Sequence, residues 1–182
     1  ITEIGGLEII GLNTASMSDG SLRDTHDGQL SPEQVKNLTD LVSTEDNQII
    51  LMHHNLPPMY DILRNHRDSF YPDMDLPPVM RDSPEFVEFL SEYEVPLVVT
   101  GHLHMIATSQ MENTREITCP STGTFPRAYL LFEFDSDGTV VKYVPVDDVS
   151  SMGEAHHSRG TQNATSKGIT AISSTRLASM PL

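Results

Sequence analysis

Two short, unbroken apolar runs, each ending in histidine, constrain this chain more than anything else in it. Gln48-Ile49-Ile50-Leu51-Met52 leads into His53-His54-Asn55-Leu56-Pro57-Pro58, and Val95-Pro96-Leu97-Val98-Val99-Thr100 leads into Gly101-His102-Leu103-His104. Runs of this length without polar alternation suit strands buried on both faces, the pattern of a parallel sheet covered by helices. Leu7 to Leu12 reads as an earlier strand. Between it and Gln48, Ser31 is placed as an N-cap, Pro32 at the first helical position and Gln34 as a capping-box partner. Leu30 and Val35 form a candidate staple. Val35, Leu38, Leu41 and Val42 then recur at helical spacing. Ser83 and Pro84 open a second helix, Glu85 to Glu94, whose Phe86, Phe89, Leu90 and Tyr93 make an apolar stripe.

The order strand, helix, strand, helix, strand predicts an α/β layered fold with parallel pairing. After His104 the pattern turns to β, over Met105 to Ser109, Glu116 to Cys119, Ala128 to Phe134 and Thr139 to Val146. Asp135-Ser136-Asp137-Gly138 reads as a hairpin turn. The proline-rich segment Asn55 to Asp82 reads as a lid or substrate-shaping loop with one helical turn at Asp61 to Arg64. From Val149 the chain is rich in Ser, Thr, Gly and Ala. Residues 149–182 are therefore expected to form a loosely ordered tail behind a domain covering residues 1–148.

In α/β sheets, ligands gather beyond the carboxyl ends of the strands. His53 follows one candidate core strand, and His102 and His104 follow another. The two imidazoles of His102-Leu103-His104 would point the same way from extended backbone, and Gly101 would permit a sharp turn or close approach before them. Those three histidines form the candidate metal set. His54, Asn55, Gly101 and Arg127 are candidates for supporting them or meeting a substrate.

The net charge of −15, from 26 acidic against 11 basic residues with lysine only at Lys36, Lys142 and Lys167, disfavours nucleic acid and anionic membrane as partners. The same balance suits a halophilic source. Cys119 is the single cysteine, so no internal disulfide forms, and its thiol is expected to be buried and inert. No apolar run approaches the length of a membrane span. Cytoplasmic location and no membrane partner are the corresponding expectations.

The segments Gly11-Leu12-Asn13-Thr14, Gly28-Gln29-Leu30-Ser31, Ile50-Leu51-Met52-His53-His54 and Gly101-His102-Leu103-His104 resemble the calcineurin-like metallophosphoesterase superfamily. The resemblance spans residues 1 to about 146 and matches the second half of that domain. It implies an αββα sandwich of two mixed sheets flanked by helices, with two divalent ions drawn from manganese, iron or zinc. It also implies hydrolysis of phosphate mono- or diesters by metal-bound hydroxide. His53 and His102 would bind one ion and His104 the other, with His54 a neighbour and no catalytic residue beyond the ligands.

The family's Asp-x-His, Gly-Asp-x-x-Asp and Gly-Asn-His-Glu/Asp motifs do not occur in the sequence. Asp24-Thr25-His26 sits in a loop instead of at a strand end. Because Ile1 opens directly on strand-like sequence, the expectation is a domain fragment whose partner is the N-terminal half carrying those ligands. Two other readings remain open at this stage. One is a mononuclear hydrolase with His53, His102 and His104 on one ion, and the other is a non-catalytic binding module of the same fold.

Overall fold

The computed structural model describes residues 1–15, 28–43, 47–65, 80, 83–123, 127–136 and 138–146. Asp24-Thr25-His26, most of the segment from His66 to Asp82 and the tail from Val149 lie outside them, as do His66, His156 and His157.

Eight strands and three helices are described. They are β1 Thr2–Ile4, β2 Leu7–Gly11, α1 Pro32–Leu41, β3 Gln48–Leu51, α2 Pro57–Asn65, α3 Ser83–Glu92, β4 Leu97–Thr100, β5 Ala107–Met111, β6 Thr114–Thr118, β7 Ala128–Asp135 and β8 Gly138–Pro145. β1 to β6 form one sheet in the order β1-β2-β3-β4-β6-β5, and β7 and β8 form a second. β2, β3, β4 and β6 pair in parallel at the centre, while β1 and β5 run antiparallel at the two edges. The fold is therefore α/β with a mixed sheet. Its layers are helices, the six-stranded sheet and the β7–β8 hairpin.

Alternation along the central strands sends side chains to the two faces in turn. Ile10, Ile50 and Val98 enter a core with Leu38 and Val42 from the α1 region and with Phe86 and Leu90 from α3. Ile49, Leu97 and Ile117 face the other way and pack with Leu130, Phe132, Phe134 and Val141 of the hairpin. Ala107 and Met111 lie on one face of β5. Met111 joins the helix-side core, and Ala107 packs with Met59 and Ile62 of α2, which places all three helices on that side. The hairpin's outer face carries exposed Tyr129 and Leu131.

Several local expectations change. Ser31 caps α1 and accepts the Gln34 N–H at 3.2 Å, with Pro32 at the first position. Gln34, however, turns its amide to Asn13, accepting the Asn13 N–H and donating to the Asn13 carbonyl, each at 2.8 Å. This two-point clamp ties the end of the β2 segment to α1 and replaces the capping box. Val35 and Leu41 are exposed, so Leu38 and Val42 alone anchor that face.

Gly5 and Gly6 adopt φ of +61° and +81° and close a β1–β2 hairpin that the sequence reading did not include. Two consecutive left-handed residues are what a type I′ turn requires. α2 replaces the single turn expected at Asp61 to Arg64, because Pro57 and Pro58 open a helix instead of breaking one.

Ile50 is fully buried between β2 and β4, whereas its neighbour Leu51 is 40% exposed. Ile50→Ala is expected to lower the free energy of unfolding by about 2–5 kcal/mol and Leu51→Ala by under about 1 kcal/mol, read from urea midpoints.

Candidate metal centre

The parallel register of β3 and β4, with Ile49 opposite Leu97, Ile50 opposite Val98 and Leu51 opposite Val99, brings the two strand ends together, β4 running one residue further to Thr100. Backbone bonding continues past the strand ends. The Met52 N–H donates to the Val99 carbonyl and the Gly101 N–H to the His53 carbonyl, each at 3.0 Å. His53 therefore stands beside Gly101, and the turn that follows brings His102 Nδ1 to 3.0 Å from His53 Nε2. Their ring centroids are 4.9 Å apart.

The turn that carries His102 departs from expectation. His102 and His104 do not lie on extended backbone: their φ values are +62° and +53°, and the Leu103 N–H bonds the Gly101 carbonyl at 2.7 Å across a tight turn centred on His102. Left-handed backbone at a residue with a Cβ costs about 1 kcal/mol or more. The conformational demand thus falls on the histidines. Gly101 itself has no left-handed φ, and a Cβ there would meet His53 Nδ1 at 3.6 Å, an ordinary contact.

His54 is held more firmly than its neighbour. It is buried, with Nδ1 2.8 Å from the Thr14 hydroxyl, and its backbone N–H donates to the same oxygen at 3.3 Å. Gly28 passes so close that a Cβ would fall 2.4 Å from His54 Cγ and 2.5 Å from its Cβ. The glycine is therefore required for His54 to occupy its place. One candidate ligand atom from each of His53, His54 and His102 lies within 4.8 Å of the others. His54, expected as a neighbour, joins this triple, while His104 is exposed and stands outside it.

The donor set suits a divalent transition metal. Two imidazoles on one tetrahedral zinc ion, at about 2.0–2.1 Å each, place their nitrogens about 3.3 Å apart. The His53–His102 spacing of 3.0 Å is close to that. Burial, with a smaller contribution from the charge of His104, lowers the pKa of His53 below the usual 6.5. The lone pair that a metal needs is thus exposed at a lower pH than in a solvated histidine. If His54 ligated through Nε2, the Thr14 hydroxyl on Nδ1 would orient the ring from behind, as partners of metal-bound histidines commonly do.

The supporting candidates divide. Gly101 and Asn55 sit at the site. Asn55, however, is fully buried, and its amide nitrogen is committed to Thr100, Glu116 and Thr118. Arg127 stands at the foot of β7 with φ +50°, its carbonyl accepting the Val146 N–H at 2.8 Å. Cys119 is half-buried, and desolvation raises its pKa, consistent with an unreactive thiol. Sequence reasoning missed Thr14 and Glu116. Thr14 carries no residue-level signal. Glu116, flanked on its face by Thr114 and Thr118, reads as part of a solvated face.

No protein-family model matches the chain, and no curated protein sequence matches it. Among solved structures it is similar to Plasmodium GAP50, described as the anchor in the inner membrane complex. The TM-score is 0.41 and the identity 16%, over 73% of this chain and 36% of GAP50, so the chain spans about a third of that protein's length. It is also similar to vacuolar protein sorting 29 from Cryptosporidium parvum, with TM-score 0.29, 12% identity, and 77% and 91% of the two chains covered. For Vps29 from Entamoeba histolytica, solved in complex with Zn2+, the values are 0.28, 15%, 75% and 90%. Among the described residues of this chain, no helix is long and apolar enough to cross a membrane.

Gly28→Ala is expected to push His54 off Thr14 and to cost about 1–3 kcal/mol of stability, as overpacking does, read by urea unfolding. A second expectation concerns pH. Between the lowered folded pKa of His53 and 6.5 the unfolded chain binds more protons, so stability rises with pH through that window and levels off above it. His53→Asn should flatten the slope of the urea midpoint against pH.

Proposed function

We propose that this chain supplies the histidine ligands of a metal-dependent phosphoesterase of the calcineurin-like type. It would act within a larger domain that hydrolyses phosphate mono- or diesters at a two-metal site. The observation that carries this reading is the His53–His102 contact of 3.0 Å at the adjacent ends of two parallel core strands. On the family-type assignment His53 and His102 serve one ion and His104 the other. Bound divalent ions, as manganese, iron or zinc, would supply Lewis-acid polarisation of a phosphoryl oxygen and a lowered water pKa. The chain's residues orient the imidazoles, through Gly101 on the His53 carbonyl and Thr14 on His54.

The charge of the donor set explains why a further set of ligands belongs to this reading. Neutral imidazoles do nothing to offset the repulsion between two divalent ions a few ångströms apart. The histidine triple contains no carboxylate. Carboxylates from a segment upstream of Ile1 would provide that charge together with a proton donor for the leaving group. By itself this chain is expected to hold one ion.

A second reading has its own support. His53, His54 and His102 form the triple with mutually close ligand atoms, which favours a mononuclear three-histidine site in the chain as it stands. A non-catalytic module of the same fold is a further outcome that the test separates from both.

The experiment is metal analysis together with hydrolysis of bis-p-nitrophenyl phosphate, with manganese and in high salt, on this chain and on a chain extended upstream. About two ions and activity only in the extended chain are expected. One ion with activity in the short chain would favour the mononuclear site instead. Metal without turnover in both would overturn the hydrolytic reading, and no metal in either would overturn both enzyme readings and favour the non-catalytic module.

A further inference from the structure

Beneath the two histidine turns lies a buried polar cluster centred on Glu116 of β6, which is fully inaccessible to solvent. Its Oε1 accepts the Leu56 N–H at 3.1 Å, the Asn55 side-chain amide at 2.9 Å and the Thr100 hydroxyl at 2.9 Å. Its Oε2 accepts the Ser109 hydroxyl at 2.7 Å. Asn55 Nδ2 also lies 2.7 Å from Thr100 Oγ1 and 2.7 Å from Thr118 Oγ1, and the two threonine oxygens are 3.2 Å apart.

Besides Ser109 of β5, the donors come from two segments distant in sequence. Asn55 and Leu56 directly follow His53 and His54, and Thr100 directly precedes Gly101 and His102. A carboxylate withdrawn from water is costly unless hydrogen bonds replace its hydration. Burial accordingly raises the Glu116 pKa above the usual carboxyl range, while its hydrogen bonds to Ser109, Asn55, Leu56 and Thr100 act in the opposite direction. An apolar side chain would fill the same place in β6 without that cost. It would not, however, collect donors from both histidine turns. The turns also meet through the Gly101 N–H on the His53 carbonyl, the His53–His102 imidazole contact and the His54 and His102 rings, whose centroids are 4.7 Å apart.

We propose that Glu116 is a positioning residue for the metal centre, holding the His53–Leu56 and Thr100–His102 turns at the spacing that lets His53 and His102 share one ion. This rests on reading those histidines as ligands. Glu116 acts through Asn55, Leu56 and Thr100, a step removed from the imidazoles. Loss of an outer partner of this kind typically weakens metal affinity about 10–100-fold.

Glu116→Leu keeps the approximate volume and removes every acceptor. Glu116→Gln keeps an acceptor toward Leu56, Asn55 and Thr100 and turns an amide toward the Ser109 hydroxyl, which can also accept. Two readouts on the full chain are compared. One is zinc affinity by competition titration, and the other is the ring 15N resonances of His53 and His102 in metal-free protein, which report their shared hydrogen bond. Glu116→Leu should weaken zinc binding about tenfold or more and shift both resonances. Glu116→Gln should stay within about threefold of wild type with its resonances in place.

Leu38→Ala, in the helix-side core, serves as a control for general loss of stability and should leave zinc affinity within about twofold. Where Glu116→Leu does not fold, Glu116→Asp retracts the same carboxylate by one methylene and should show the same two changes. Unchanged affinity and resonances in the folded Leu or Asp variant, or equal zinc loss in Leu38→Ala, would overturn the proposal. Zinc binding that survives His53→Ala combined with His102→Ala would defeat the ligand reading. In that case the metal-free resonances still show whether Glu116 sets the spacing of the turns.

Discussion

The parallel pairing of β3 with β4 is the constraint on which the rest of the site depends. Because Ile49, Ile50 and Leu51 stand opposite Leu97, Val98 and Val99, the strands end next to each other and His53 arrives beside Gly101, one residue before His102. A shift of one residue in that register would move the apolar side chains to the wrong faces, away from α1 and α3 on one side and the β7–β8 hairpin on the other. The core therefore enforces the register, the register sets His53 beside Gly101, and the turn at His102 completes the contact. Burial of Ile50 and Val98 contributes to the geometry of the site as much as to stability.

Above that level the site is shaped by three local devices. Gly28 leaves room for His54, and Thr14 fixes the orientation of its ring. The left-handed turn at His102 bends the backbone back over Gly101 and sends the imidazole toward His53, a conformation unfavourable in isolation that its hydrogen bonds and packing sustain. Below it, Glu116 draws donors from both turns into one buried network. The arrangement is polar where the three histidines gather and polar again beneath, with apolar strands Ile49–Leu51 and Leu97–Val99 leading up to it. A low dielectric around the network strengthens each of its hydrogen bonds and makes any unmet group expensive.

Much of this was legible in the sequence. Continuous apolar runs marked β3 and β4, Ser31-Pro32 marked the start of α1, and histidines after two strands marked the end of the sheet where His53 and His102 meet. The gaps have physical causes. Pro57-Pro58 reads equally as a turn or as a helix start, and only Met59 and Ile62 packing on Leu103, Met105 and Ala107 make it a helix. Val35 fits the helical period of α1, yet it lies exposed in the fold. Thr14 lies 40 residues from His54 along the chain, and no local pattern reports such a pairing.

The sequence by itself determined the α/β class, the central parallel strands and the fact that His53, His102 and His104 follow them, since burial period and strand order are local properties of the chain. Which histidines gather was decided only by the tertiary structure. The left-handed turn carries His104 to an exposed position, and Gly28 and Thr14 bring His54 into the group with His53 and His102. The role of Glu116 was likewise invisible in sequence, because a glutamate between threonines reads as a solvated face until β6 is placed between β4 and β5 with the Asn55 turn closed over it. Periodicity reports which face a residue occupies. Only packing reports whether that face meets water or a neighbouring turn.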